Sequence, residues 1–359
     1  MVERMLRSAQ QLEGLVLDGG WRVVERLPPR NDDDNTLAGF FSVGYIVESE
    51  NGQRAFLKAL DFEKAFNSND ITRSFEALAS AYNFERDLLL KCNRRNMDRV
   101  VRLLDVGTAD VPEGRIPKVP YLVFELAVRD VRQQLAALND FDTVWVLRTL
   151  HHIATGLKQL HSEGIAHQDV KPSNILVFRE AVSKIGDLGC ASSRSQPVPR
   201  DELDIPGDER YAPPEQSYRH HPTEWHERRL SYDLYHLGSM AVFFFTGVGM
   251  SPLLYSRMRH EHWPENWKEG YAEILPYLRD AFGQSLQIFD DCVKEKLRDR
   301  GDNVRTRLVE KVRQLCDPDP ALRGHPKNRF AQSNRYSLER YVTEFDLLAL
   351  HAARGYFYG

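Results

Sequence analysis

Cysteine is scarce in this 359-residue chain, with only Cys92, Cys190, Cys292 and Cys316, all far apart. Their spacing suits neither a thiolate metal site nor the disulfide framework of a small secreted domain, so a reducing, cytoplasmic setting is expected. An excess of one charge is also missing: 48 Lys and Arg face 52 Asp and Glu, for a formal net charge of −4. Such a balance gives no global pull toward nucleic acid or an anionic membrane. The opening residues, MVERMLRSAQQLEG, are charged throughout and lack the apolar core of a secretory leader, so secretion is not expected. One weakly charged stretch, LGSMAVFFFTGVGMSPLLY at 237–255, approaches the length of a membrane span, but Gly238, Gly247, Gly249 and Pro252 interrupt it. A helix buried in the centre of a large domain also demands apolar residues all round, and that is the expectation here.

What the chain does have is the composition of a soluble globular protein, 42% hydrophobic and 28% charged, and enough length for two or three domain-sized units or one large two-lobed domain. Its first third reads as strands around one helix. WRVVERL (21–27), FFSVGYIVE (40–48), RAFLKAL (54–60), RVVRLLDVG (99–107) and YLVFEL (121–126) are rich in aromatic and β-branched residues, and ENGQ at 50–53 is a turn. Between them, Phe75, Leu78, Ala81, Phe84, Leu88 and Leu89 recur at helical spacing over 72–93. Helices dominate from there on, at 142–162, 231–247, 270–297, 303–316 and 336–354, while 187–230 lacks periodicity and reads as a long functional loop. A strand-rich unit is thus followed by a larger helical one, with the join near 125–130.

The densest chemistry lies in HQDVKPSNIL, from His167 to Leu176, followed by DLG at 187–189. The interval between Asp169 and Asp187 holds a strand (ILVF), a turn and a second strand (VSKIGD), so the chain returns and brings Asp169, Asn174 and Asp187 together. Phosphoryl transfer asks for such a set: oxygen ligands for a divalent metal, a cation on the phosphates and a carboxylate to accept the hydroxyl proton. Asn174 and Asp187 offer oxygens suited to Mg²⁺, Asp169 is the candidate base, and Lys171 can offset charge on the transferred group. Lys58, mid-strand in AFLK with apolar neighbours, needs a partner if buried, and Glu85 in NFERDLL is the candidate. Such a pair costs desolvation, which suits a switchable positioning device better than a stabilising element.

On these motifs the chain resembles the eukaryotic-type protein kinases, serine/threonine branch, over nearly its whole length. Further elements carry the likeness: YAPPEQ at 211–216 with Glu215, DLYHLG at 233–238 with Asp233, Arg323 in CDPDPALRG, and YLVFELA, which is similar to the hinge. The resemblance implies an α+β, two-lobed kinase-like fold, with a small antiparallel-sheet lobe and a larger, mostly helical one. Residues 1–20 would be an N-terminal extension, 21–124 the small lobe, 125–130 the hinge and 131–359 the large lobe with an enlarged 249–302 segment. It also implies ATP with Mg²⁺, or Mn²⁺ in its place, and protein serine or threonine hydroxyls as substrate. Asp169, Lys171, Lys58 and Glu85 would carry catalysis, and Asn174 and Asp187 would hold metal. Gly39, Val43, Phe56, Phe124, Glu125, Ala127 and Leu176 would join Lys58 around the nucleotide, with Phe124 as gatekeeper. Bacterial stand-alone kinases are similar in context.

Several residues depart from the family pattern. Gln168 stands where many kinases have the arginine that receives an activation-loop phosphate, which argues against that mode of control. Asp208 replaces a threonine, and Phe56 replaces a small alanine over the adenine. The glycine-rich loop shrinks to TLAGFFSVG (36–44), with Gly39 and Gly44 alone. Segment 249–302, with EHWPENWKEG, is either a docking surface or a solvated elaboration. Two other readings stay open: a pseudokinase that binds nucleotide without useful turnover, and a small-molecule phosphotransferase, against which YAPPEQ, DLYHLG and Lys171 weigh.

Overall fold

A computed structural model describes residues 7–28, 42–196, 199–297, 302–329 and 335–357, and the chain divides into two compact units, Met1–Val128 and Arg129–Gly359. The fold is that of a protein kinase, with a small antiparallel sheet in the first unit and a mostly helical second unit.

Strands β1 (Trp21–Arg26), β2 (Ser42–Ser49), β3 (Arg54–Leu60), β4 (Leu103–Asp110) and β5 (Lys118–Glu125) form one sheet in the order β1-β2-β3-β5-β4. Alternate residues Tyr45 and Val47, Ala55, Leu57 and Ala59, and Tyr121 and Val123 enter a common core, as the two-residue period of a strand requires. β5 starts earlier than YLVFEL implies, because Pro120 is tolerated inside it. Pro120 pairs only with Thr108 of β4, beyond the last residue that β3 covers, so its missing N–H removes no rung. β4 starts later than RVVRLLDVG implies. The Arg102 N–H is taken by the Glu125 carboxylate at 2.7 Å, and the register shifts between Leu103 and Asp105. Helix α1 (Ile71–Arg94), capped by the Asp70 carboxylate, buries Phe84, Glu85, Leu88, Leu89 and Cys92 and packs on β4.

The second unit opens with β6 (Arg129–Asp130), α2 (Val131–Ala136) and α3 (Thr143–Ser162), which Asp142 caps. Short strands β7 (Ile165–Ala166), β8 (Ile175–Val177), β9 (Ser183–Ile185) and β10 (Ser192–Ser193) follow, β6-β8-β9 forming one ribbon and β7-β10 another. After α4 (Pro214–Ser217) come α5 (Ser231–Thr246), α6 (Met250–Tyr255), α7 (Tyr271–Leu297), α8 (Asp302–Leu315) and α9 (Glu339–Phe357). α5 is buried on every side from Ser231 to Phe245, which explains its apolar sequence. It stops where Gly247 takes φ 82°, so 237–255 is shared between two helices. No helix among the described residues is long and apolar enough to cross a membrane.

Among the described residues, 187–230 hold the two-residue strand β10 and short turns of helix, at Leu188–Cys190, Pro199–Glu202 and α4, before a π-helical turn, His226–Leu230, leads into α5. In EHWPENWKEG the aromatic rings turn inward. The His262 ring lies tilted with its centroid 3.9 Å from that of Tyr277, Trp267 joins that cluster, and the His262 carbonyl accepts the Tyr218 hydroxyl. Exposed charges, Arg259, Glu261, Glu265, Lys268 and Glu269, form its outer face.

One fully buried ion pair ties the middle of this unit to its end. The Arg323 guanidinium meets Glu215 of α4 at 2.5 and 2.9 Å, and both side chains are 0% exposed. Its remaining donors go to the Asp317 and Ser231 carbonyls. Breaking such a pair from one side strands a buried charge. Arg323→Met should therefore cost about 3–5 kcal/mol in urea unfolding, and adding Glu215→Leu should recover a good part of that loss.

Candidate active site

Asp233, in the first turn of α5, is wholly buried and organises the loop that carries HQDVKPSN. Its Oδ2 accepts the His167 N–H at 2.7 Å and bonds His161 Nε2 at 2.9 Å, while Oδ1 accepts the Gln168 N–H at 2.8 Å. These bonds hold Gln168 at φ 68°, a left-handed conformation that a non-glycine residue adopts at a cost. Burial is the largest single influence and acts to raise the Asp233 carboxyl, but the His161 and His236 side chains and the charge of His167 together outweigh it and hold the group well below the carboxylate range.

Asp169 follows directly and is 3% exposed. The Asn174 side-chain amide donates to its carbonyl at 2.8 Å and to its Oδ2 at 3.0 Å. Lys171 Nζ lies 3.3 Å from Asp169 Oδ2 and 3.5 Å from Asp208 Oδ2, and the Asp208 N–H donates to Asp169 Oδ1 at 2.9 Å. Asp208 is thus a second acid on Lys171, and Arg210 offsets its charge at 2.9 Å. Gly207 lets the segment come this close. A Cβ there would stand 2.6 Å from the Gln168 carbonyl oxygen and 2.8 Å from Asp169 Oδ1.

The DLG turn is tied to the same loop. His167 Nε2 lies 2.9 Å from the Gly186 carbonyl, and the Gly186 N–H donates to the Asn174 carbonyl at 2.8 Å. His167 Nδ1 accepts the Asp169 N–H at 3.2 Å, so the two contacts together assign the proton to Nε2. Asp187 takes φ 56° and accepts the Gly189 N–H through Oδ1. Leu176 packs beside Gly186, where a Cβ would meet its Cδ1 at 3.1 Å. Asp169, Lys171, Asn174 and Asp187, singled out from sequence, therefore share one hydrogen-bonded loop system in the second unit.

In the first unit Lys58 Nζ meets Glu85 Oε1 and Oε2 at 2.8 and 3.0 Å, joining β3 to α1. Gly44 pairs with Lys58 and Val43 with Ala59 across β2 and β3. The Phe56 ring crosses Gly44, where a Cβ would come within 2.9 Å of it, and its centroid stands 6.3 Å from that of Phe124. Phe124 is buried near the end of β5, Glu125 is that strand's last residue, and Ala127 lies just beyond it. Gly39 lies outside the described residues.

Residues 39–320 match the family described as protein kinase domain. The chain belongs to the protein kinase family. Among curated proteins, the chain is 36% identical over 146 residues to a Wee1-like protein kinase from Arabidopsis thaliana, covering 40% of this chain and 24% of that one. It is 28% identical over 163 residues to the serine/threonine-protein kinase NLK2 of Xenopus laevis and of Xenopus tropicalis, covering 45% of this chain and 33% of each relative. The matched stretches thus span a quarter to a third of those proteins.

Sequence reasoning missed His161, Asp201, Gly207, Arg210 and Arg229. Their only signals were a glycine before Asp208 and the Arg-Arg pair ahead of α5, neither of which names a partner.

Burial pushes the Asp169 carboxyl above its ordinary 3.8; Lys171 opposes the rise and the Asp187 charge adds to it. Asp169 and Asp233 therefore pull stability in opposite directions. The Asp169 contribution is complete below pH 3.8 and is lost as pH rises through its raised value, whereas that of Asp233 is complete above 3.8 and is lost on acidification. Carboxyl-detected NMR titration should find Asp169 above 3.8, and higher still in Lys171→Met, which loses the opposing cation. A midpoint at or below 3.8 would contradict the burial argument.

Proposed function

We propose that the chain is an ATP- and Mg²⁺-dependent serine/threonine protein kinase that moves the γ-phosphate to protein hydroxyls. The observation that carries this reading is the bonding of Asp169, Lys171 and Asn174 on one loop, tied to the DLG turn through His167 and Gly186. In this reading Asp169 orients the substrate hydroxyl and takes its proton, and Lys171 offsets charge on the transferred phosphoryl group. Lys58, held by Glu85, sets the α- and β-phosphates. This reading assigns Val43, Phe56, Phe124, Glu125, Ala127 and Leu176, together with Gly39, to nucleotide binding.

The donor set fits a hard cation. Asn174 commits its amide nitrogen to Asp169, which leaves its carbonyl oxygen as the ligand atom, and Asp187 adds a carboxylate. Magnesium, or manganese on the same oxygens, supplies charge compensation to the phosphates when bound. With Gln168 preceding Asp169, control does not pass through a phosphate on an arginine at that position. Protein substrates are the partners, and the exposed charges of 259–269, within the enlarged 249–302 segment, offer one surface to meet them. The cellular setting that fits the scattered thiols is the cytoplasm.

One observation favours the rival reading of nucleotide binding without turnover: the Phe56 ring fills the space over Gly44 beside Phe124. Purified protein given ATP, Mg²⁺ and a generic protein substrate decides between the two. Transfer should appear and fall about a hundredfold or more in Asp169→Asn, while an ATP-induced thermal shift persists in that variant. Undiminished transfer in Asp169→Asn would remove it as the base, and a thermal shift without any transfer in the wild type would favour the rival.

A further inference from the structure

We infer that Asp201 and Arg229, braced on Gln168, form a built-in latch that positions the segment after DLG against the catalytic loop, so that transfer needs no phosphate on that segment. The inference rests on the kinase reading above and adds residues that no motif marks.

Arg229, in the π-helical turn before α5, is 3% exposed although it carries a full charge. Its guanidinium reaches two other parts of the unit. One nitrogen donates to Gln168 Oε1 at 3.1 Å; the other donates to the Asp201 carbonyl at 2.7 Å and pairs with the Asp201 carboxylate at 3.1 Å. Gln168 returns a bond from its own amide to the Arg229 carbonyl at 2.9 Å. A neutral glutamine thus locks the orientation of a cation whose charge is met by an acid from the 199–202 turn.

The residue next to Asp169 is therefore coupled to Asp201 through one guanidinium. In the phosphate-dependent arrangement, the cation sits on the catalytic loop and the anion arrives by modification. Here the cation sits ahead of α5, the catalytic loop supplies only the brace, and the anion is encoded. A buried charge left without its partner is costly, so Arg229 holds the turn in place as firmly as the turn shields Arg229.

Neighbouring contacts fix the same segment. Arg200 donates to the Cys190 sulfur at 3.1 Å, Arg228 donates to the Asp201 carbonyl at 3.1 Å, and Asp204 meets His221 at 2.9 Å. Serines that could accept a phosphate are poorly placed to replace the latch. Ser192 and Ser193 are buried, and Ser192 accepts the Trp225 indole N–H, whereas Ser195 stands exposed in the turn beyond β10.

The test uses the full chain after phosphatase treatment. Asp201 is 22% exposed and Asp201→Asn keeps its shape, so the variant removes charge with little risk to folding. Wild type should retain transfer after the treatment, as should Ser195→Ala. Asp201→Asn should lower kcat on the order of tenfold with little change in the KM for ATP, and Asp201→Glu should restore most of it. Amide hydrogen exchange over 199–205 should rise in Asp201→Asn and not in Asp201→Glu. An unchanged kcat in Asp201→Asn, a loss of kcat without faster exchange, or loss of wild-type activity on phosphatase treatment would each overturn the latch. A wild type that transfers no phosphate before treatment either would overturn the kinase reading instead, and the exchange comparison would still judge the contact.

Discussion

The buried carboxylate of Asp233 is the constraint from which the arrangement of the second unit's site follows. It is fixed in the first turn of a helix buried on all sides, so its position is set by the apolar core rather than by solvent-facing groups. From there it accepts two consecutive backbone N–H groups, those of His167 and Gln168. Two such bonds define the direction of a peptide as well as its place, and Asp169 is the next residue. The left-handed backbone at Gln168 is strain that the loop bears because Asp233 overdetermines it. What the core holds rigid on one side is therefore presented as chemistry on the other.

Around that anchor the charges alternate in a chain. Arg210 meets Asp208, Asp208 shares Lys171 with Asp169, and Asp169 receives Asn174. Each carboxylate sits beside a donor, yet Asp169 remains harder to ionise than an exposed aspartate, because burial outweighs the help of Lys171. A site that keeps its acid short of full compensation is one in which an arriving cation or hydroxyl has something to gain. The Lys58–Glu85 pair of the first unit has a similar character: it joins a strand to a helix through two short bonds in place of an apolar contact.

Much of this was legible in the residues because the requirements are local. The HQDVKPSN loop and DLG need particular side chains at short spacing, and the period of 72–93 placed Glu85 on the face of α1 that is buried. The long helices of the second unit, α3, α5, α7, α8 and α9, were legible for the same reason, with Asp142 and Gly247 at ends that the backbone demands, whereas the short α2, α4 and α6 were not. Strand limits were less so, since the ladder at Arg102 ends through a side chain and Pro120 is harmless only because β3 stops short of it. Asp201, Arg229 and Gly207 were illegible for a different reason. Their meaning lies in which distant residue they touch, and neither a glycine before an acid nor a pair of arginines encodes that.

The close approach at Gly207 has a consequence for the length of the chain. With Asp187 beside the HQDVKPSN loop at one end and Gly207 pressed on the Gln168 carbonyl at the other, the segment between them is tied to the same loop at both ends. Pinning at Asp201 divides that segment into a longer and a shorter part, and the entropy of closing each grows only slowly with its length. Extra residues can therefore be accommodated cheaply in the longer part, around the exposed turn at 194–196, whereas the few residues from Asp201 to Gly207 are held at both ends. Variation in length at one end and constancy at the other is the pattern such a tether imposes on any chain built this way.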